Sequence, residues 1–279
     1  IGDDVYNIQD ANAQNPPGVH KGENGEEEGM NNCSDMYLIL GTEKALLIDL
    51  SNRIEWYEEP ADWLRKIIYE KIGNRQLIIT VTHNHGDHLG MLPAFVNDPK
   101  AEFWIPMEDF SPEQALFPAE RTVYFSKGAL LDLGGETIIE TYTLPGHTPG
   151  SALFILKDEN IVFTGDAVGS GGGLWLFDYD SFDLFYGSFR SFMEYIRNPA
   201  NNISEKQLTL WGGHSWQKGS RERLGMEYLE DMEVLLEQIA AGVAESSPYT
   251  TFIPSLNANF RYKTAVITWN RESDRKSVV

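Results

Sequence analysis

The run QLIITVT (residues 76–82) leads without a break into HNHGDHLG (residues 83–90). Leu77, Ile78, Ile79 and Val81 make a short continuous apolar stretch, the pattern of a strand buried on both faces. At its end stand three of the chain's six histidines, His83, His85 and His88, together with Asp87. His83 and His85 are one residue apart, so on an extended segment leaving a strand both imidazoles project to the same side, a chelating arrangement. Gly86 is read as free to adopt positive φ, which would turn the chain and aim Asp87 and His88 inward as a second pair.

The flanking sequence supplies strands and helices around this run. Residues 36–40 (MYLIL) and 45–50 (ALLIDL), separated by Gly-Thr-Glu-Lys, predict a hairpin. Pro60 opens a helix with Trp63, Leu64, Ile67 and Ile68 as its apolar face, and Gly73 is placed to end it. Further short strands are predicted at 102–105, 121–125, 137–143, 151–156, 160–164 and 207–211. Two more helices follow helical periodicity, one through Phe182, Phe185, Phe189, Phe192, Met193 and Ile196, the other through Leu224, Tyr228, Leu229, Met232, Leu235, Leu236 and Ile239. Strands interleaved with helices argue for a layered α/β domain. No repeat or linker divides the chain, so residues 31–279 are read as a single domain. Residues 1–30 carry seven acidic side chains against Lys21 alone and are read as an acidic polar arm or loop, with His20 a solvated member of it.

The 279 residues have a formal net charge of −20. A surface that acidic repels phosphate backbones and anionic headgroups, so the expected partner is a small-molecule substrate rather than nucleic acid or membrane. Cys33 is the only cysteine, which excludes an internal disulfide and a thiolate cluster. No run reaches the roughly eighteen apolar residues that span a bilayer, and no charged-then-apolar signal segment is visible in these residues. Compartment and oligomeric state are left open by these features.

The remaining histidines fall in telling contexts. His147 lies in LPGHTPGS and His214 in WGGHS, each at a predicted strand end beside the Gly or Pro that a tight loop needs. Asp166 in VFTGDAVG ends another strand in the same way. Strand ends are where open α/β sheets build their sites.

HxHxDH, then Gly-His-Thr-x-Gly, then Gly-Asp after an apolar strand, then Gly-His, in this order over residues 37–214, resembles the metallo-β-lactamase superfamily of hydrolases. The resemblance implies a four-layer αββα sandwich with the metal site at one edge of the two sheets. It implies a binuclear centre in which His83, His85 and His147 bind one metal, Asp87, His88 and His214 the other, and Asp166 bridges them. Two cations roughly 3.5–4 Å apart acidify a shared water into a bridging hydroxide that attacks the substrate, and no serine or cysteine nucleophile is required. Imidazoles and carboxylates without thiolate suit zinc first, and also manganese, iron or cobalt. Asp49 is a candidate acceptor for the outer N–H of a ligating imidazole. Where the family has Asp-Thr-Gly, this chain has Asp49, Leu50 and Ser51.

Departures narrow the branch. Class B lactamases usually carry Cys or Ser at the position of Asp166. Glyoxalase II-like enzymes hold glutathione carboxylates with basic residues after the bridging aspartate, and residues 167–188 here contain no Lys or Arg. Homoserine-lactone lactonases carry a tyrosine three residues beyond that aspartate, where this chain has Gly169; Tyr179 or Tyr186 is the candidate substitute. Trp175, Phe177 and Tyr179, in the loop after a ligand, are candidate substrate-binding residues, and Asp87 and Asp166 the candidate catalytic carboxylates. The expected activity is metal-dependent hydrolysis of an ester, lactone or thioester of a small, partly apolar molecule. The alternatives are a phosphodiesterase or phosphocholine-esterase type of hydrolase, and an iron-dependent redox enzyme on the same fold.

Overall fold

The computed structural model describes residues 4–9, 33–52, 59–178, 180–215, 224–251 and 253–270. A first sheet contains, in this order, β1 (Val5–Ile8), β2 (Met36–Leu40), β3 (Lys44–Ile48), β4 (Gln76–Thr80), β5 (Ala101–Pro106) and β6 (Thr122–Phe125). Neighbours β1–β3 pair antiparallel, while β3 to β6 pair in parallel. The parallel strands are linked by crossovers carrying α1 (Pro60–Ile72) and the single turn α2 (Pro93–Val96). A second sheet holds β7 (Leu130–Asp132), β8 (Ile138–Thr143), β9 (Ala152–Leu156) and β10 (Ile161–Gly165) as an antiparallel run. Beyond β10 the chain passes through β11 (Leu174–Trp175) and α3 (Ser181–Arg197) and returns as β12 (Thr209–Gly212), parallel to β10 at the sheet's edge. After α4 (Met226–Ala240) come β13 (Ser246–Pro248), β14 (Ala258–Tyr262) and β15 (Ala265–Trp269), which with β11 form a third, small sheet ordered β11-β15-β14-β13.

Side-chain alternation along the strands builds the layers. In β2, Met36, Leu38 and Leu40 face the core beneath α1 and α2, whereas Tyr37 and Ile39 face the second sheet; in β3, Ala45 and Leu47 point one way and Leu46 and Ile48 the other. The second sheet repeats this: Phe154 and Phe163 fill the space between sheets, and Leu153, Ile155 and Val162 meet α3 and α4. Buried on both faces, these strands read as unbroken apolar runs. The result is the αββα sandwich, with the third sheet packed against α4 through Ala258, Phe260 and Ile267.

Several expectations are corrected in detail. The 1–30 segment is not wholly an arm, because Val5–Ile8 forms the edge strand of the first sheet, Val5 pairing Ile39; residues 10–30 lie outside the described residues. On α1 the buried face is Leu64, Ile68 and Ile72, while Trp63 and Ile67 stay 60% and 49% exposed, because only one side of this helix meets the sheet. The strand expected at 45–50 stops at Ile48, since Asp49 turns out of it at φ 64. Leu224 precedes α4 and forms an isolated bridge with Leu210. Gly86 is not at positive φ; the turn it begins is a 3-10 turn, Gly86–His88, that any residue can make.

Candidate metal centre

The expected ligands come from four strand ends at one edge of the sandwich. His83 and His85 follow β4, Asp87 and His88 occupy the 3-10 turn, His147 follows β8, Asp166 follows β10 and His214 follows β12. Tertiary hydrogen bonds fasten these ends together: Ala152 N donates to Thr82 O (2.8 Å), Gly213 N to Gly165 O (2.8 Å) and Leu50 N to His88 O (2.9 Å). The Tyr37 hydroxyl crosses between the sheets and donates to Gly212 O at 2.6 Å.

The seven side chains form two groups. His83, His85 and His147 make one; Asp87, His88, Asp166 and His214 make the other, with ligand atoms in each group within 4.8 Å of one another. Asp166 Oδ2 lies 3.2 Å from His214 Nε2, 3.5 Å from His88 Nε2 and 3.6 Å from His147 Nε2, so it touches both groups. Asp87 Oδ2 is 3.2 Å from His214 Nε2. His85 Nδ1 stands 3.0 Å from His147 Nε2.

The outer ring nitrogens fix the orientation of the imidazoles. His88 Nδ1 donates to Asp49 Oδ2 (2.9 Å), His147 Nδ1 to Trp175 O (2.9 Å) and His214 Nδ1 to Cys33 O (3.0 Å). The Thr82 hydroxyl is within 3.1 Å of both Asp49 oxygens and lies 3.0 Å from His83 Nδ1, so it donates to the carboxylate and accepts from the ring. With the proton on Nδ1, the Nε2 lone pair of each ring points into the centre. His83 Nε2 and His88 Nε2 are buried and have no hydrogen-bond partner. Buried polar atoms are rarely left orphaned, and two in one cluster of nitrogen and oxygen donors fit a bound cation.

Electrostatics separates the groups. Burial, reinforced by neighbouring imidazoles, holds His83 well below its ordinary value and pushes His85 down to about 4; burial also lowers His147. These three rings are neutral and able to ligate. Burial works against the charged form in the other group too, but the carboxylates win: Asp49, Asp166 and Asp87 hold His88 well above its ordinary value, and Asp166 and Asp87 raise His214 to about 10. Burial would raise Asp166 and Asp87, yet His214 and His88 depress both. Without a cation, protons occupy the second group, and a cation held there would displace them.

A cavity of about 410 Å³ opens beside the cluster, lined by His85, Asp87, His147, Asp166 and His214 on one side and by Trp175, Phe177, Ile253, Asn52 and Ser170 around the rest. The size is that of a small-molecule pocket. Phe177 stands edge-on to His85 (5.4 Å) and packs against His147 (5.1 Å), and Trp175 meets Tyr249 (6.3 Å). Of the expected substrate-binding residues, Trp175 and Phe177 line the cavity, and Tyr179 lies outside the described residues. Tyr186 stacks on Phe182 within α3 and is not among the lining residues.

The superfamily model for metallo-β-lactamases matches residues 34–198. The chain belongs to the metallo-β-lactamase superfamily. Its members are mostly hydrolytic metalloenzymes, and this chain carries a metal-binding His/Asp group of their kind. The chain is 31% identical over 139 residues to an atrochrysone carboxyl ACP thioesterase of Aspergillus aculeatus, covering 48% of this chain and 39% of that protein. It is 26% identical over 167 residues to the hydroxyacylglutathione hydrolase GloC of Haemophilus influenzae, covering 54% of this chain and 75% of that protein. It is 31% identical over 104 residues to the mitochondrial persulfide dioxygenase of Homo sapiens, covering 36% of this chain and 37% of that one. The matches thus span about two-fifths of the thioesterase and of the dioxygenase. A metallo-β-lactamase from Pontibacter korlensis shares the fold, with a TM-score of 0.59 at 18% identity over 85% of this chain and 96% of that one.

Within this superfamily member, several site residues escaped sequence reasoning. Ser170, 4% exposed, donates to Asp166 Oδ1 (2.7 Å), leaving Oδ2 to face the histidines. Thr82 relays Asp49 to His83, and Ile253 and Tyr249 arrive from the far C-terminal part of the chain. None sits in a spacing pattern; for Ser170 the Gly-rich run around it was the available signal.

Proposed function

We propose that this protein is a two-metal hydrolase that cleaves a thioester, ester or lactone of a small, uncharged and partly apolar acyl group. The observation that carries the proposal is the pair of orphaned buried nitrogens, His83 Nε2 and His88 Nε2, one in each ligand group, beside an aromatic-walled cavity. His83, His85 and His147 would hold one divalent cation, and Asp87, His88 and His214 the other, with Asp166 between them. When bound, such cations supply Lewis acidity and make water a competent nucleophile near neutral pH. Zinc is the first choice for this thiolate-free donor set.

The chain's own residues do the remaining work. Ser170 fixes Asp166 through its Oδ1, and His147 and His214 Nε2 flank its Oδ2. Asp87, on the cavity wall and steadied by His214, is placed to carry a proton to the leaving group. Trp175 and Phe177 exclude water and receive the apolar acyl portion. No Lys or Arg is among the described lining residues, which favours an acyl group without negative charge. The thioester reading is further supported by the Aspergillus relative, a carboxyl ACP thioesterase, and the Haemophilus relative, a hydroxyacylglutathione hydrolase. The expected partner remains a small molecule, because a net charge of −20 disfavours polyanions.

Metal content of protein purified without added metal tests the centre, with two per chain expected. A panel of acyl thioesters, nitrophenyl esters and bis-nitrophenyl phosphate tests the bond. Trp175→Ala is expected to lower kcat/KM for apolar acyl substrates roughly tenfold or more, in line with loss of a buried aromatic contact. Preference for the phosphodiester, or one iron per chain with oxygen consumption on a persulfide, would refute the proposal.

A further inference from the structure

Asp49 is not the only buried carboxylate tied to the histidine-bearing loops. Asp109, 7% exposed, lies in the turn after β5, outside every motif of the metal centre. Its Oδ2 accepts from Asn84 N (2.8 Å) and from the Thr148 hydroxyl (2.9 Å), and its Oδ1 accepts from Gly150 N (2.9 Å). The Asp109 carbonyl accepts from Asn84 Nδ2 as well (3.4 Å). Asn84 sits between His83 and His85, and Thr148 immediately follows His147. One carboxylate therefore joins the two chain segments that carry the three-histidine group. Among the described residues its hydrogen bonds go to Asn84, Thr148 and Gly150 and to no imidazole.

The packing of the same turn supports this independently. A Cβ on Gly150 would lie 2.3 Å from Glu108 C and 2.4 Å from Asp109 N. The turn is thus pressed against the GHTPG loop so closely that only glycine fits, and the distance between the loop and the carboxylate is set by contact as well as by hydrogen bonds.

We propose that Asp109 is the positioning residue of the His83, His85 and His147 group, setting the separation between the turn after β4 and the loop after β8 and hence the ligand geometry of one metal. This rests on reading those histidines as a metal site and is independent of which bond the enzyme cleaves. The charge and both acceptor oxygens matter. An amide at position 109 offers one acceptor oxygen, and its NH2 faces a backbone or hydroxyl donor.

The test is cobalt(II) titration of chelator-stripped, folded protein, followed by proton NMR of the exchangeable imidazole N–H signals shifted by the paramagnetic ion. Asp109→Ala is expected to weaken cobalt at the three-histidine group roughly 10–100-fold, the range for supporting residues around a metal, with the other group unchanged. The His83 and His147 N–H signals should move and those of His88 and His214 stay. Asp109→Asn should shift the same signals by less, and Gly150→Ala, which keeps the carboxylate but displaces it, should reproduce the pattern. Should Asp109→Ala fail to fold, Asp109→Asn decides. Signals unchanged in Asp109→Asn overturn the proposal, as does equal weakening of both groups or a lowered Tm with unchanged metal affinities. A wild-type protein that takes cobalt without His83 and His147 signals overturns it too. One cobalt per chain that does show those signals would sink the two-metal reading alone.

Discussion

Asp49→Asn isolates what the carboxylate beneath the metal centre contributes. Asp49 is buried and sits at φ 64, a conformation that Asn shares with Asp at little extra cost, so the exchange leaves the backbone intact. The carboxylate accepts from Thr82 N (2.7 Å), from the Thr82 hydroxyl and from His88 Nδ1 (2.9 Å). An amide cannot satisfy all of these. With its oxygen toward Thr82, its NH2 faces His88 Nδ1; the ring must then accept there and carry its proton on Nε2, which removes the lone pair from the centre. With the amide reversed, NH2 collides with the Thr82 N–H. In Asp49→Ala, Thr82 N and His88 Nδ1 both lose their acceptor, at about 1–3 kcal/mol each, or about 2–6 kcal/mol together. Asp49→Asn should therefore cost less stability than Asp49→Ala, yet weaken the metal at the Asp87, His88 and His214 group by a similar roughly 10–100-fold. Urea unfolding of the metal-free proteins gives the first quantity and competition with a zinc-binding dye the second. If the Asn variant takes up metal at this group as tightly as the unsubstituted protein, the tautomer argument is wrong.

A methyl group on Gly213 would lie 2.3 Å from Asp166 Oδ1 and 2.8 Å from His88 Cε1. Gly213→Ala is expected to displace the shared carboxylate and lower kcat/KM by roughly 100-fold or more with loss of metal; a fully metallated, active variant would contradict that close approach. Far from the centre, Asp231 on α4 accepts from the Thr264 hydroxyl (2.7 Å) and backbone (3.2 Å) and pairs with Lys263 (3.3 Å). Burial opposes its ionisation, but the Thr264 hydrogen bonds and Lys263 prevail and hold its carboxyl below the ordinary value. Its contribution is then full above about pH 4 and is lost as pH falls through the lower folded value. Asp231→Ala should lower the urea midpoint at pH 7 and converge with the wild type in strong acid; a constant difference down to pH 2 would count against the assignment. Adding zinc at about 100 times its Kd should stabilise the stripped protein by about 2.7 kcal/mol per site, read as a rise in Tm, and His85→Ala should lose part of that rise.

The elements that were legible are those whose periodicity is set by burial. Phe182, Phe185, Phe189, Phe192, Met193 and Ile196 on α3 all face the core, and β2 to β5, β8, β9 and β10 fall within a residue or two of the apolar runs that marked them, because these elements lie against neighbours along their whole length. The strands without an expectation are β1, β7, β11 and the C-terminal β13, β14 and β15. β1 and β7 are edge strands, and β11 has two residues that pair only with β15, about ninety positions later. Their strand character is conferred by the partner rather than by local pattern. Trp63 and Ile67 misled for the opposite reason, having helical spacing and no facing layer.

The candidate site divides in the same way. The ligand types and their order along the chain were determined by sequence alone, because chelation requires particular side chains and the HNHGDH turn is a local structure. What the sequence did not contain is distance. That Asp166 Oδ2 reaches three histidines, that Asp109 joins two ligand loops, and that Trp175 both accepts from His147 and meets Tyr249 follow from bringing together positions about twenty to eighty residues apart. Those juxtapositions arise from the packing of two sheets, whose hydrophobic burial is non-directional in sequence and becomes specific only when the layers close.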